Sequence, residues 1–340
     1  MAENPAVLHV VGRTADGRLW HTARSPTGWT PFTDVLLRAG LFTQSVHAVD
    51  VACARRLATV TPALVEGLYV FVALTGEPPR LLFLSSDTGT WSEEGLSGFP
   101  IARGVGVGTL TSFSQGSNAP HAELHLAVVT DNGHLLAAEH QYGATSSTTP
   151  QDVEANVLDR GDFEAVALPL SVGLDTFSVP MVAVTAQGRL FHTVGSGANW
   201  QPFDELVGST VAGSLPADVI DADIASEAMM TDIVAVTGDG HVWLATQFSN
   251  GTFAQWRDLE THTVTFSGGS WSGTATVTDD VGSFSKVSCA TTTEGLHVVG
   301  VTTNGRLWHQ LRPSTSPIFR NVQQVGVGQT VGSFTAVACG

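Results

Sequence analysis

The chain is nearly without lysine. Lys286 is the single example in 340 residues, and the other 14 of its 15 basic side chains are arginine. Against 31 Asp and Glu the formal charge is −16. Nucleic acid and anionic membrane surfaces both call for a basic face, so neither is expected as a partner. Cysteine is also scarce. Cys53, Cys289 and Cys339 form an odd, sparse set that argues against a disulfide framework. The opening residues Met1 to Pro5 lack the basic and apolar regions of a secretory signal. No apolar run approaches the roughly 18 residues that span a bilayer. The expected setting is a reduced cytoplasm, with release that bypasses a signal peptide as the alternative. No HExxH, CxxC, EF-hand, P-loop, dinucleotide or G-x-S-x-G pattern occurs, so no metal or cofactor is expected and no catalytic residue is assigned.

What the chain does have is glycine, 36 residues of it, and much of that glycine marks a repeat. The unit Leu8-His9-Val10-Val11-Gly12-Arg13-Thr14-Ala15-Asp16-Gly17-Arg18-Leu19-Trp20-His21 returns almost unchanged from Leu296 to His309. It returns again from Met181 to His192, more weakly around Gly133 and Gly240, and most weakly from Leu68 to Phe83. Each copy is an apolar run, a tight turn ending in Gly, then an alternating run. Asp-Gly and Asn-Gly are strong hairpin signals because these turns need positive φ. A Trp/Phe segment follows several copies, as at Trp29–Val35 and Trp200–Leu206, and a small-residue segment precedes them, as at Val49–Cys53 and Val287–Cys289. Each unit therefore predicts four strands.

Six such units of about 57 residues fill the chain. The first begins at its second strand, and the segment Phe334 to Cys339 supplies its missing first strand. A ring closed in this way leaves no open sheet edges. The expectation is an all-β, six-bladed β-propeller of four-stranded blades, forming one domain over 1–340. The blades are expected near 1–35 with 333–340, 46–92, 102–153, 162–206, 218–259 and 283–323.

In such a ring, Val51, Val107, Val166, Ile224, Val287 and Val337 share one parity of the inner strands and are expected between blades. The three cysteines share that parity and read as buried thiols. The other parity, small at most positions, is expected to face the channel. Its exceptions are Asp50, Asp221, Asp223 and Lys286. A bridge between Asp223 and Lys286 in consecutive blades is one reading, and a polar ligand or ion at the channel mouth is the other. Trp271 lies outside the repeats, in the long 260–283 connection, and joins this channel-entrance set as a ligand candidate.

The residue after each turn is basic or histidine: Arg18, Arg80, His134, Arg189, His241 and Arg306. These are expected on the face that also carries the long connections, either paired with acids or available to a ligand. Recurring His9, His21, His125, His192, His297 and His309 occupy equivalent places in different blades and read as structural hydrogen-bonding groups. The repeat tryptophans read as wedges between blades, or alternatively as sugar platforms.

The units Asp16 to Val35 and Asn304 to Arg312 resemble tectonin-type propeller repeats, as in tachylectin-like and Photorhabdus-type lectins. The resemblance implies glycan binding in pockets between blades. Carried onto this chain, it points to Arg18, Trp20, Arg24, Trp29, Arg189, Trp200, Arg306, Trp308 and Arg312. The leading expectation is a lectin-like protein that binds a glycan or small neutral ligand. An enzyme with one site at the channel entrance and a protein-interaction scaffold are the alternatives.

Overall fold

In the computed structural model the described residues are 8–25, 27–41, 46–56, 66–112, 121–142, 146–155, 161–172, 179–196, 199–206, 214–215, 217–227, 230–260, 263–268, 271–276, 281–316, 318–320, 322–329 and 331–340. They form a six-bladed β-propeller. The inner strands, in blade order, are Phe334–Cys339, Ala48–Arg56, Ala102–Ser112, Phe163–Ala167, Val219–Glu227 and Phe284–Thr292. Each is followed outward by a hairpin pair, such as Leu8–Thr14 with Leu19–Ser25 in the first blade. A short outer strand completes each sheet. The first blade closes the ring, because Phe334–Cys339 pairs antiparallel with Leu8–Thr14. Two features were not expected. Leu170–Val172 adds a parallel strand to the third inner strand, and the connection after the fifth blade holds a hairpin of Thr263–Gly268 and Trp271–Thr276. Among the described residues no helix is long and apolar enough to cross a membrane.

The turn glycines join the blades. Gly17, Gly133, Gly188, Gly240 and Gly305 all have positive φ, between 73° and 90°. Each carbonyl accepts a hydrogen bond from the first residue of the next inner strand: Ala48, Phe163, Val219, Phe284 and Phe334, at 2.9–3.0 Å. Close approach leaves no room for a side chain. A Cβ on Gly188 would lie 2.3 Å from Asp218 Cβ. Gly188→Ala is therefore expected to lose about 1–3 kcal/mol of stability by chemical denaturation, from backbone strain and overlap together. A loss under about 0.5 kcal/mol, the range of neutral surface changes, would show that the junction yields freely.

The core is six layers, one between each pair of neighbouring blades. Val51 and Cys53 pack with Val11, Ala336 and Ala338 of the first blade, while Val337 and Cys339 pack with Val299 and Val301 of the sixth. The valine parity of an inner strand thus meets the preceding blade, as expected. The small parity was expected to face the channel, and here the structure corrects the sequence. These side chains turn toward the following blade, because sheets in a propeller stack face to face and only the strand edge looks inward. They are small because the neighbour is close. A Cβ on Gly106 would lie 2.9 Å from the Val166 carbonyl oxygen, and one on Gly108 would lie 2.4 Å from that of Pro169.

Candidate functional site

The strand edge facing the channel carries backbone N–H groups that no neighbouring strand can accept, and they need acceptors. Side chains of the preceding blade supply them. Asp50 Oδ2 accepts from Val105 N at 3.1 Å, Asp221 Oδ2 from Val287 N at 2.8 Å, and Asp223 Oδ2 from Cys289 N at 2.7 Å. Ser288 Oγ accepts from Cys339 N at 2.9 Å and donates to Asp223 Oδ2 at 2.6 Å. Lys286 Nζ bonds Asp221 Oδ1 at 2.9 Å. The expected Asp223–Lys286 bridge is therefore not formed. The register shows why. Asp50, Asp221 and Lys286 occupy the same place, two residues after the strand start at a bulge, with Gly104 as their counterpart in the third blade. A period-two pattern reads the same after a two-residue slip, so alternation sets Val107 and Ile224 beside Val51 where the register sets Val105 and Ala222.

Burial governs the charges here. It pushes the Asp50 carboxyl up, with Lys286 opposing, and raises Asp223 to about 7 against its three hydrogen-bond donors. Burial works against the Lys286 charge, yet Asp221 and Asp50 outweigh it and hold the amine above its ordinary range. Burial also raises the thiols of Cys53 and Cys289, and all three cysteines are free and buried. The channel cavity is about 60 Å³, room for a few waters and far below the several hundred Å³ of a sugar-sized site.

Three of the six post-turn residues pair outward, with acids on their own blade's outer strand. Arg18 Nε donates to Asp34 Oδ2 at 2.8 Å, Arg189 clamps Glu205 with bonds of 2.9 and 2.6 Å, and Arg80 bonds Glu93 at 2.6 Å. His241 stands in the cation's place in the fifth blade, its Nδ1 3.2 Å from both Asp258 Oδ2 and Glu260 Oε2. Among the described residues these three form the one group whose ligand-type atoms converge, within 4.8 Å, as a metal would require. Arg306 is exposed and makes no ion pair with a described residue.

Four of the recurring histidines form hydrogen-bonded pairs, as read from the sequence, while His125 Nε2 and His192 Nε2 are buried without a hydrogen-bond partner among the described residues. His9 Nδ1 and His21 Nε2 share a 2.9 Å hydrogen bond, and His297 Nδ1 and His309 Nε2 repeat it in the sixth blade. Aromatic rings of the next blade pack edge-on against them: Trp91 on His21, and Trp29 on His309. Trp200 is buried, Trp20 lies under the Arg18 guanidinium at 4.7 Å, and Trp308 is half-buried. The Trp271 side chain lies outside the described residues.

Two inter-blade arginines behave differently from the rest. Arg24 pairs with Glu294 of the sixth blade. Arg312 reaches from the sixth blade to the fully buried Asp232 of the fifth, through Nη1–Oδ1 at 3.2 Å and Nη2–Oδ2 at 2.5 Å. Thr246 Oγ donates to the same carboxylate at 2.6 Å. Beside this pair opens a pocket of about 540 Å³ between the fifth and sixth blades. Met230, Leu244, Phe248 and Leu296 form apolar wall, while Thr246, Gln255, Arg257, Arg312 and Ser314 supply polar groups. Phe248 stays 44% exposed at its mouth. The pocket opens on the face opposite the glycine turns. Of its polar residues only Arg312 was singled out from sequence. Asp232→Ala would strand the Arg312 charge in the interior and is expected to cost about 3–5 kcal/mol in chemical denaturation. A loss below about 1 kcal/mol would show that water already screens the pair.

No protein-family model matches the sequence, and no curated protein matches it. Solved structures match in fold. AofleA from Arthrobotrys oligospora aligns at TM-score 0.59 and 10% identity, over 94% of this chain and 82% of that one. The Aleuria aurantia lectin in complex with Fucα1-6GlcNAc aligns at 0.57 and 10%, over 96% and 94%. The BP39L lectin of Burkholderia pseudomallei aligns at 0.52 and 17%, over 95% and 81%. The six-bladed propeller is what these chains share.

Proposed function

We propose that the protein is a glycan-binding propeller, and that its ligand sits between the fifth and sixth blades, outside the central channel. The pocket beside Arg312 carries this reading. Its volume falls in the range of small-molecule sites. It joins apolar walls to a few convergent polar groups, and the exposed Phe248 ring offers a face for the C–H side of a pyranose. The fold likeness to proteins described as lectins, one of them in complex with a fucosylated disaccharide, lends support from a separate direction. The same pocket fits the tectonin-type reading of binding between blades. The channel groups, by contrast, are engaged in holding inner strands together, and no catalytic role is assigned to them.

A glycan array followed by calorimetry tests the proposal. Ser314 is exposed at the pocket lip, so Ser314→Trp is expected to fold with unchanged Tm and to abolish binding. Wild-type affinity in that variant would place the site elsewhere. An array with no bound saccharide would remove the glycan reading itself.

A further inference from the structure

Among the described residues, the pocket between the fifth and sixth blades holds one more positive charge than its surroundings neutralise. Asp232 is spent on Arg312: both carboxylate oxygens face that guanidinium, and Oδ1 also takes the Thr246 hydroxyl. Arg257 remains. It comes from the short outer strand Arg257–Asp258, and its guanidinium makes no hydrogen bond to another described residue. It lies 5.7 Å from the Phe319 ring centroid, and Arg312 lies 6.0 Å from the same ring. Burial and the neighbouring Arg312 push its pKa down, with Asp232 opposing. An arginine nonetheless stays charged at neutral pH. Among the described residues no carboxylate lines the pocket, although the chain as a whole is at −16.

The other blades show that this charge is no requirement of the fold. The register positions equivalent to Arg257 are Thr33, Glu94, Gln151, Asp204 and Gln323, none of them basic. At the neighbouring boundary Arg24 meets Glu294 one to one. A half-buried guanidinium with free donors, held against a second one, is costly unless an acceptor arrives. The planar fork of arginine matches two-oxygen anions, and such charge-assisted bonds are about twice as strong as neutral ones.

We infer that the pocket selects saccharides bearing an oxyanion, a carboxylate or a sulfate, over their neutral counterparts, with Arg257 as the contact residue. This rests on the reading of the pocket as the glycan site. The intact chain is tested on an array of matched neutral, carboxylated and sulfated saccharides, then by calorimetry with the corresponding methyl glycosides. Charged members are expected to bind about tenfold or more tightly than their neutral parents. The advantage should shrink as salt rises, vanish in Arg257→Gln and survive in part in Arg257→Lys. The carboxylated and sulfated arms tell the two anions apart. If neutral saccharides bind as tightly as charged ones and Arg257→Gln changes nothing, the charge preference falls while the pocket stands as a glycan site. If no saccharide binds, both fall together. Arg257 is the residue to vary because Arg312→Gln would leave Asp232 buried without its partner.

Discussion

Lowering the pH from 7 to 5 is expected to remove several kcal/mol of stability and bring the fold close to unfolding. Burial holds His192 and His297 near 4 and His309 near 2, and His9 and His21 are lowered to about 3 and 4 in the same way. Folded, they stay neutral; unfolded, they bind protons near 6.5. Their contribution is complete above 6.5 and is lost as pH falls toward the folded values. At pH 5 each costs about 2 kcal/mol. Asp223 works the other way. Its folded pKa of about 7 exceeds the ordinary carboxylate value, so the folded state keeps a proton there that the unfolded chain releases. Acidification from pH 7 to 5 returns about 2 kcal/mol through that group, and Asp50 adds in the same direction. The buried histidines outnumber these carboxyls, so the net slope follows them. Urea denaturation at pH 7.5, 6 and 5 measures it. Stability that holds level or rises on acidification would mean the imidazoles gain water or partners on protonation.

A chain ended at Ser333 is expected not to fold. The missing segment is the innermost strand of the first blade, and its Phe334, Val337 and Cys339 are buried against the sixth blade. Losing each large apolar side chain from such a layer costs about 1.5–3 kcal/mol, and Leu8–Thr14 would also become an open edge. Together these reach the whole stability of a typical domain. Circular dichroism should show no cooperative thermal transition, and a synthetic peptide of residues 331–340 should restore one in proportion to its concentration. A truncated chain that melts cooperatively near the full-length Tm would show that closure contributes little.

The propeller was legible because its signals are local. Asp16-Gly17 and Asn304-Gly305 specify their turns outright, and the displaced first strand at Phe334 to Cys339 specifies closure. Inner-strand register in the third and fifth blades was not legible from alternation alone. Val105 and Val107 both fit one face there, as do Ala222 and Ile224. The threonine before each turn would have anchored it: Thr14, Thr130, Thr185, Thr237 and Thr302 each end a second strand, pair with the turn and fix the count inward. The site was legible in part. Arg312 belongs to the repeat, but its partner Asp232 lies 80 residues away in another blade. Arg257 carries no repeat signature, because its departure from Thr33, Glu94 and Gln323 appears only once the blades are superposed in register. Contacts between separate sheets leave no periodicity in the chain.

The glycine junction described above links five of the six boundaries. Between the second and third blades it is missing: Gly76 has positive φ, yet no atom lies within 4 Å of where its Cβ would stand, and its carbonyl takes no bond from Ala102. At the rim, the boundary that lacks this bond is expected to open first, although Asp50 and the aromatic layer around Phe71 and Phe99 hold the same two blades further in. Amide exchange at the rim should be fastest around Gly76 and Ala102. The same gap is the natural seam for new termini, so a circular permutant opened between these two blades should keep more stability than one opened at any other boundary.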